Sequence, residues 1–159
     1  MPFDTALAAQ LSTPWKLRLW MIHHLPMGWI NGMYIEQLDA GQCVVVLKDR
    51  WWIRNPFGSV FWAVMGMAAE LSTGVLIHVH ASQAGVRFIL VGMQAEFYKK
   101  VKGKSYYFCL SGAQIAEQIE ALQHSEHSIT LALPVIARDN NGEPLAGFTF
   151  QWQLRRPNL

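Results

Sequence analysis

The sequence predicts an α+β fold in which an antiparallel sheet encloses one long helix. Three observations point there. Residues 60–77 are apolar around nearly every side of a helix, with Glu70 as the one ionisable group; such a helix has no solvent face and must be enclosed. Strand-like segments lie both before and after it, in an order that suits a sheet wrapped on one helix. The chain of 159 residues is 52% hydrophobic and 15% charged, enough for one substantial core and too apolar for disorder.

Each element has its own signal. Pro14–Leu25 reads as an N-terminal helix docked on the domain, with Trp15, Leu19 and Ile22 on one side and Lys16 and Arg18 as a basic flank. Pro26 stops it. Asn31–Leu38 and Gln42–Lys48 read as strands around the turn Asp39-Ala40-Gly41, the second built on Val44-Val45-Val46. Asn55-Pro56 marks a turn before the long helix. Val86–Lys99 then reads as a long strand, with Lys104–Leu110 as its antiparallel neighbour across Lys102-Gly103. Ser111 and Gln114 have capping-box spacing, and Ile115, Ile119 and Leu122 form the apolar face of a short helix running to His124. His127–Arg138 and Leu145–Arg155 flank Asn140-Asn141-Gly142, a hairpin signal. No linker or repeat interrupts the chain, so one domain over 1–159 is expected, with a helical segment at 1–29 and the core at 30–156.

Composition excludes several roles. A formal net charge of +2 argues against a dedicated nucleic-acid binder. The first residues lack the pattern of a secretory signal. Cys43 and Cys109, the only two cysteines, sit in strand-like runs and read as reduced core residues of a cytoplasmic protein. The long helix has the length of a membrane span, but Glu70 and the surrounding strands favour a core helix. Seven Trp and seven Met point to broad apolar contact surfaces, in a core, a subunit interface or a lipid-like ligand site. His78 and His80 would share one face of an extended segment, yet no third ligand stands at a metal-site spacing, and no metal is expected.

The element order and the segment Asn55–Ile77 resemble the hotdog fold, a curved antiparallel sheet around one long central helix, and more narrowly the phenylacetate-pathway-type acyl-CoA thioesterases. In that family an Asn and a Gly precede the helix, His-Gly-Gly opens it, and a catalytic Asp or Glu follows within it. Asn55, Gly58 and Glu70 fall on the matching positions, while Phe61-Trp62-Ala63 stands in place of His-Gly-Gly. The terminal hairpin is similar to a poorly characterised branch of the superfamily, and the short helix before it looks like an insertion.

The resemblance implies a division of labour. Glu70 would be the base or nucleophile, contributed across a dimer interface; the backbone N–H of Trp62 would hold the oxyanion; Asn55 would orient the carbonyl or water. Gly66 and Gly74 flank Glu70 on one helix face, and either give an acyl group room beside it or allow close packing against sheet or partner. Phe61, Ser72 and Thr73 are further candidates for substrate contact, the two hydroxyls being equally suited to structural bonds. Lys99, Lys100 and Lys102 would meet the phosphates of coenzyme A or simply form a solvated tip. No cofactor is expected apart from the coenzyme A of the substrate. The expected function is acyl-CoA hydrolysis by a homodimer or dimer of dimers. The alternatives are a non-catalytic hotdog protein binding a fatty acyl or other apolar ligand, which Phe61 and Trp62 favour, and a hotdog dehydratase or hydratase.

Overall fold

The structure, a computed structural model, describes residues 3–124 and 128–156. Three helices open it: α1 (Thr5–Ser12), α2 (Pro14–His24) and α3 (Pro26–Ile30). Strands β1 (Tyr34–Leu38) and β2 (Cys43–Lys48) lead to the long helix α4 (Trp62–Ala81). Strands β3 (Arg87–Phe97) and β4 (Lys104–Cys109), helix α5 (Gly112–His124) and strands β5 (Ser128–Arg138) and β6 (Pro144–Arg155) complete it. The strands form one antiparallel sheet in the order β1-β2-β4-β5-β6-β3. It curls around α4, which is the hotdog arrangement.

The core follows from strand alternation. Val45, Leu47, Tyr107, Leu133, Phe148 and Phe150 are buried together with Ala68, Ala69, Leu76 and Ile77 of α4. More than half of the apolar stretch from Trp62 to Ala84 is enclosed by the protein itself. Helix α5 lays Ile115, Ile119 and Leu122 into the same core with no solvent exposure, each contributing about 1.5–3 kcal/mol. Its start meets the β1–β2 turn so closely that a Cβ on Gly112 would overlap the carbonyl of Ala40. Cys43 and Cys109 face each other across β2 and β4, buried and free, and burial holds both thiols above their ordinary range.

Several expectations are corrected. The β3–β4 hairpin does not form. Strand β3 is an edge strand paired only with β6, while β4 lies between β2 and β5. About 14 Å, three strand spacings, separates β3 from β4, and residues 98–103 cross it. Tertiary bonds steer that crossing: Val60 N–H donates to Val101 O at 3.0 Å, Val101 N–H to Ser59 Oγ at 2.9 Å, and Gly103, at φ +80°, donates its N–H to Asp49 Oδ2 at 3.1 Å. Helix α2 docks through Leu17 and Met21, not through Trp15, Leu19 and Ile22, which stay exposed. Pro26 ends α2 but also begins α3. Helix α1 was not anticipated; its N-cap is Asp4, whose Oδ1 accepts from Leu7 N–H at 2.9 Å. Helix α4 continues past Ile77, so His78 and His80 lie on a helix and point apart: His80 Nε2 donates to Ala40 O at 2.9 Å, whereas His78 faces a cleft. His127, the expected first residue of its strand, lies outside the described residues.

Candidate active site

The loop before α4 is built around Asn55. Its Oδ1 accepts from Phe57 N–H at 3.0 Å and Ser59 N–H at 3.2 Å, an Asx turn that folds the chain back. Gly58 N–H donates to Asn55 O at 3.1 Å, and Gly58 has φ +73°, a conformation that glycine adopts without strain. Lys100 Nζ donates to Phe57 O at 3.1 Å, tying the loop to the end of β3. With its oxygen committed to the turn, Asn55 keeps Nδ2 without a protein acceptor among the described residues.

Helix α4 begins immediately beyond. Phe61 N–H donates to Ile53 O at 2.7 Å, and Val64 and Met65 return their N–H groups to Phe61 O. No side chain caps the helix, so the N–H groups of Trp62 and Ala63 have no acceptor among the described residues. They are the donors that an oxyanion site requires, at the positive end of the helix dipole. Trp62 is 52% exposed, and its ring packs edge-on against Phe61 at 5.7 Å. It lines two clefts that both include Asn55: one of about 440 Å³ reaching Phe97, Lys99 and Lys100, the other of about 430 Å³ reaching Trp52 and Phe61. The indole thus divides the space beside Asn55 without closing it.

Glu70 lies elsewhere on the same helix. It and Trp62 are eight residues apart, about 12 Å along the axis. Its carboxylate enters a third cleft, of about 430 Å³, whose walls include Trp20, Phe88 and Trp152 and which His24 and His78 also line. No hydrogen-bond donor among the described residues meets it, and burial holds its carboxyl above the usual carboxylate range. Burial likewise lowers His78. Gly74 leaves space beside the carboxylate: a Cβ there would stand in contact with it, 3.4 Å from Glu70 Oε1 and 3.6 Å from the Trp152 ring. At Gly66 the nearest neighbour of such a Cβ would be Met93 Sδ at 3.9 Å, so this glycine gives room to β3 and not to the carboxylate.

The remaining candidates disperse. Ser72 and Thr73 are wholly buried: Ser72 Oγ donates to Ala69 O at 2.7 Å, and Thr73 Oγ1 donates to Glu70 O at 2.9 Å while accepting from Trp152 Nε1 at 3.0 Å. Both hydroxyls are therefore satisfied inside the fold. Lys99 pairs with Glu143 at 3.0 Å. Lys102 is exposed and lies close enough to Asp49 to help hold its carboxyl low, after the stronger effect of Arg54. Among the described residues no group of His, Cys, Asp or Glu could hold a metal ion. His78 stands beside Glu70 because α4 continues past Ile77, and His24 because the end of α2 reaches the same cleft; neither placement is legible from local sequence.

Residues 15–154 match a family model described as a domain of unknown function, DUF4442. The chain belongs to this family. No curated protein matches the sequence. Solved structures share its fold. A Pseudomonas aeruginosa protein of unknown function, described as a probable thioesterase, is 21% identical with a TM-score of 0.78 over 92% of this chain and 98% of its own. A Chlorobaculum tepidum protein of unknown function is 13% identical, with a TM-score of 0.74 over 94% and 99%. A mutant thioesterase from Pseudomonas aeruginosa is 10% identical, with a TM-score of 0.71 over 94% and 98%. This DUF4442 chain thus has the hotdog fold, with Phe61 and Trp62 at its helix start.

Proposed function

We propose that this protein hydrolyses an acyl thioester, with acyl-CoA as the substrate, in a site completed by a second copy of the chain. The observation that carries this reading is Glu70, a carboxylate without a partner among the described residues, its pKa raised by burial in an aromatic cleft of the central helix. Such a group is costly to bury and is tuned towards general-base chemistry. Glu70 would take a proton from water as the water oxygen attacks the thioester carbon. The negative charge then forms on the carbonyl oxygen, held by Trp62 N–H and Asn55 Nδ2. Collapse breaks the C–S bond, and the thiolate leaves with the proton returned from Glu70.

The separation of about 12 Å between Trp62 and Glu70 prevents one chain from placing both on one carbonyl, which supports a site shared between subunits. The free edge strand β3, exposing Ile89, Val91, Met93 and Phe97, suits pairing with a second copy. The test is a panel of acyl-CoA chain lengths followed by free thiol release, with Glu70→Gln alongside. Turnover that persists in Glu70→Gln would sink the carboxylate mechanism.

A second reading is a non-catalytic protein that holds a fatty acyl group. Phe61 and Trp62 favour it, because bulky rings flank the N–H groups that an acyl carbonyl must reach. No turnover together with saturable binding of a fatty acid would select it.

A further inference from the structure

A cleft of about 530 Å³ lies between α2, α3 and the end of β2, away from Glu70. Three cations line it, Arg18, Lys48 and Arg50, along with three aromatic rings, Trp29, Tyr34 and Trp52. No carboxylate among the described residues lines it. None of the three cations forms an ion pair or donates a hydrogen bond among the described residues. This contrasts with Lys99, paired with Glu143, and Lys100, bound to the Phe57 carbonyl. All three are exposed, and a cleft lined by one sign of charge raises the local concentration of anions.

Two of the charges rest over aromatic rings. The Arg50 guanidinium lies 5.1 Å over the Trp52 ring and the Lys48 ammonium 5.7 Å over Tyr34. Gly32, at φ +68°, has no Cβ, and one built there would stand 3.0 Å from Arg50 Nη2. The guanidinium of this exposed residue thus lies between bare backbone and a ring face, contacts that leave its charge unpaired among the described residues. Between the lining residues Ile30 and Gly32, buried Asn31 leaves Nδ2 without a partner, an unsatisfied donor in the loop that bounds the cleft.

The cleft adjoins the candidate active site at one residue. Trp52 lines both this cleft and the one that holds Asn55 and Trp62. Planar guanidinium groups match phosphate oxygens in pairs, and indole and phenol rings stack on a flat base. We propose that this cleft binds the phosphorylated, base-bearing end of a nucleotide-type carrier, so that the thioester's leaving group is held here while its acyl carbonyl lies at the start of α4. The last clause rests on the thioesterase reading; the nucleotide site itself does not.

The test is calorimetric titration of the full chain with adenosine 3′,5′-bisphosphate, which needs no turnover. Wild type is expected to bind it, more weakly as salt rises. Arg50→Gln should weaken binding roughly tenfold or more, and Arg18→Gln/Arg50→Gln should remove it, with unchanged circular dichroism and partial recovery in Arg50→Lys. Wild-type affinity in the Arg variants would overturn the inference. Inorganic phosphate binding as tightly as the nucleotide would overturn the base-stacking half of it. Binding to phosphatidylglycerol vesicles with none to the nucleotide would overturn it in favour of a membrane-facing surface. If acyl-CoA and acyl-pantetheine both resist hydrolysis while the nucleotide binds, the thioesterase reading fails and this site stands. If both are hydrolysed and Arg50→Gln leaves the KM for acyl-CoA unchanged, this site fails and the thioesterase reading stands. Success of both is a raised KM for acyl-CoA alone.

Discussion

The Glu70 carboxylate rests over Gly74, where a methyl group would stand 3.4 Å from Oε1 and 3.6 Å from the Trp152 ring. That is ordinary contact distance, so Gly74→Ala fits without a clash. Replacing Gly by Ala within a helix stabilises by up to about 1 kcal/mol, and the variant should keep or raise its Tm. The added methyl fills the side of the cleft where the carboxylate turns, and hydrolysis should fall about tenfold, about 1.4 kcal/mol in the barrier. Thermal melts and thiol-release assays on the same preparation check this. Unchanged activity would mean that the glycine serves packing alone.

Glu70→Gln separates stability from activity. Burial raises the folded-state pKa of Glu70 above its unfolded value. The folded state therefore holds the proton more tightly, and its stability falls as pH rises from the unfolded pKa through the folded one. Above its folded-state pKa the wild type carries the full cost of a buried charge. Gln removes it, and Tm should rise by roughly 2–4 °C per kcal/mol relieved. The gain should vanish as pH falls below the unfolded carboxylate range. Loss of a general base should lower turnover about 10²–10⁴-fold. Wild-type turnover should climb with pH through the raised pKa of Glu70, read from a pH profile of kcat/KM.

Asn55 has two halves with separable roles. Oδ1 holds Phe57 and Ser59 in the turn, while Nδ2 is free to donate. Asn55→Ala removes both and should destabilise by about 1–2 kcal/mol. Asn55→Asp keeps the acceptor and removes the donor, so it should melt near wild type yet lose most hydrolysis. If Asn55→Asp hydrolyses the thioester as fast as wild type, the side-chain amide plays no part in holding the oxyanion.

How far the sequence reached depends on whether a signal is local or tertiary. The enclosed helix was legible because every turn of α4 is apolar, and Glu70 stood out as its lone acid. Asn141-Gly142 likewise marked the β5–β6 turn, where Gly142 adopts φ +81°. The β3–β4 pairing failed because adjacency favours a hairpin, whereas Asp49, Ser59 and Val101 redirect the chain through bonds between distant residues. The docking face of α2 was misplaced because Trp15, Leu19 and Ile22 form the more apolar stripe, while Leu17 and Met21 meet the core. The Arg18, Lys48 and Arg50 cluster was invisible because helix α2, strand β2 and a loop each supply one member.

A site shared between subunits makes an arithmetic prediction. Glu70→Gln and Asn55→Asp, each inactive alone, should regain activity when unfolded together and refolded as a mixture. In a mixed dimer, the Asn55 of the Glu70→Gln chain meets the Glu70 of the Asn55→Asp chain, and that site is intact. The other site carries both lesions. Random pairing makes half of all dimers mixed, so about a quarter of wild-type activity should return. A site contained within one chain would recover nothing, because each protomer then keeps its own lesion. Placing Lys at Ile89 and Val91 of the edge strand β3 supplies the control: it should shift the protein to monomer by light scattering and abolish the recovery.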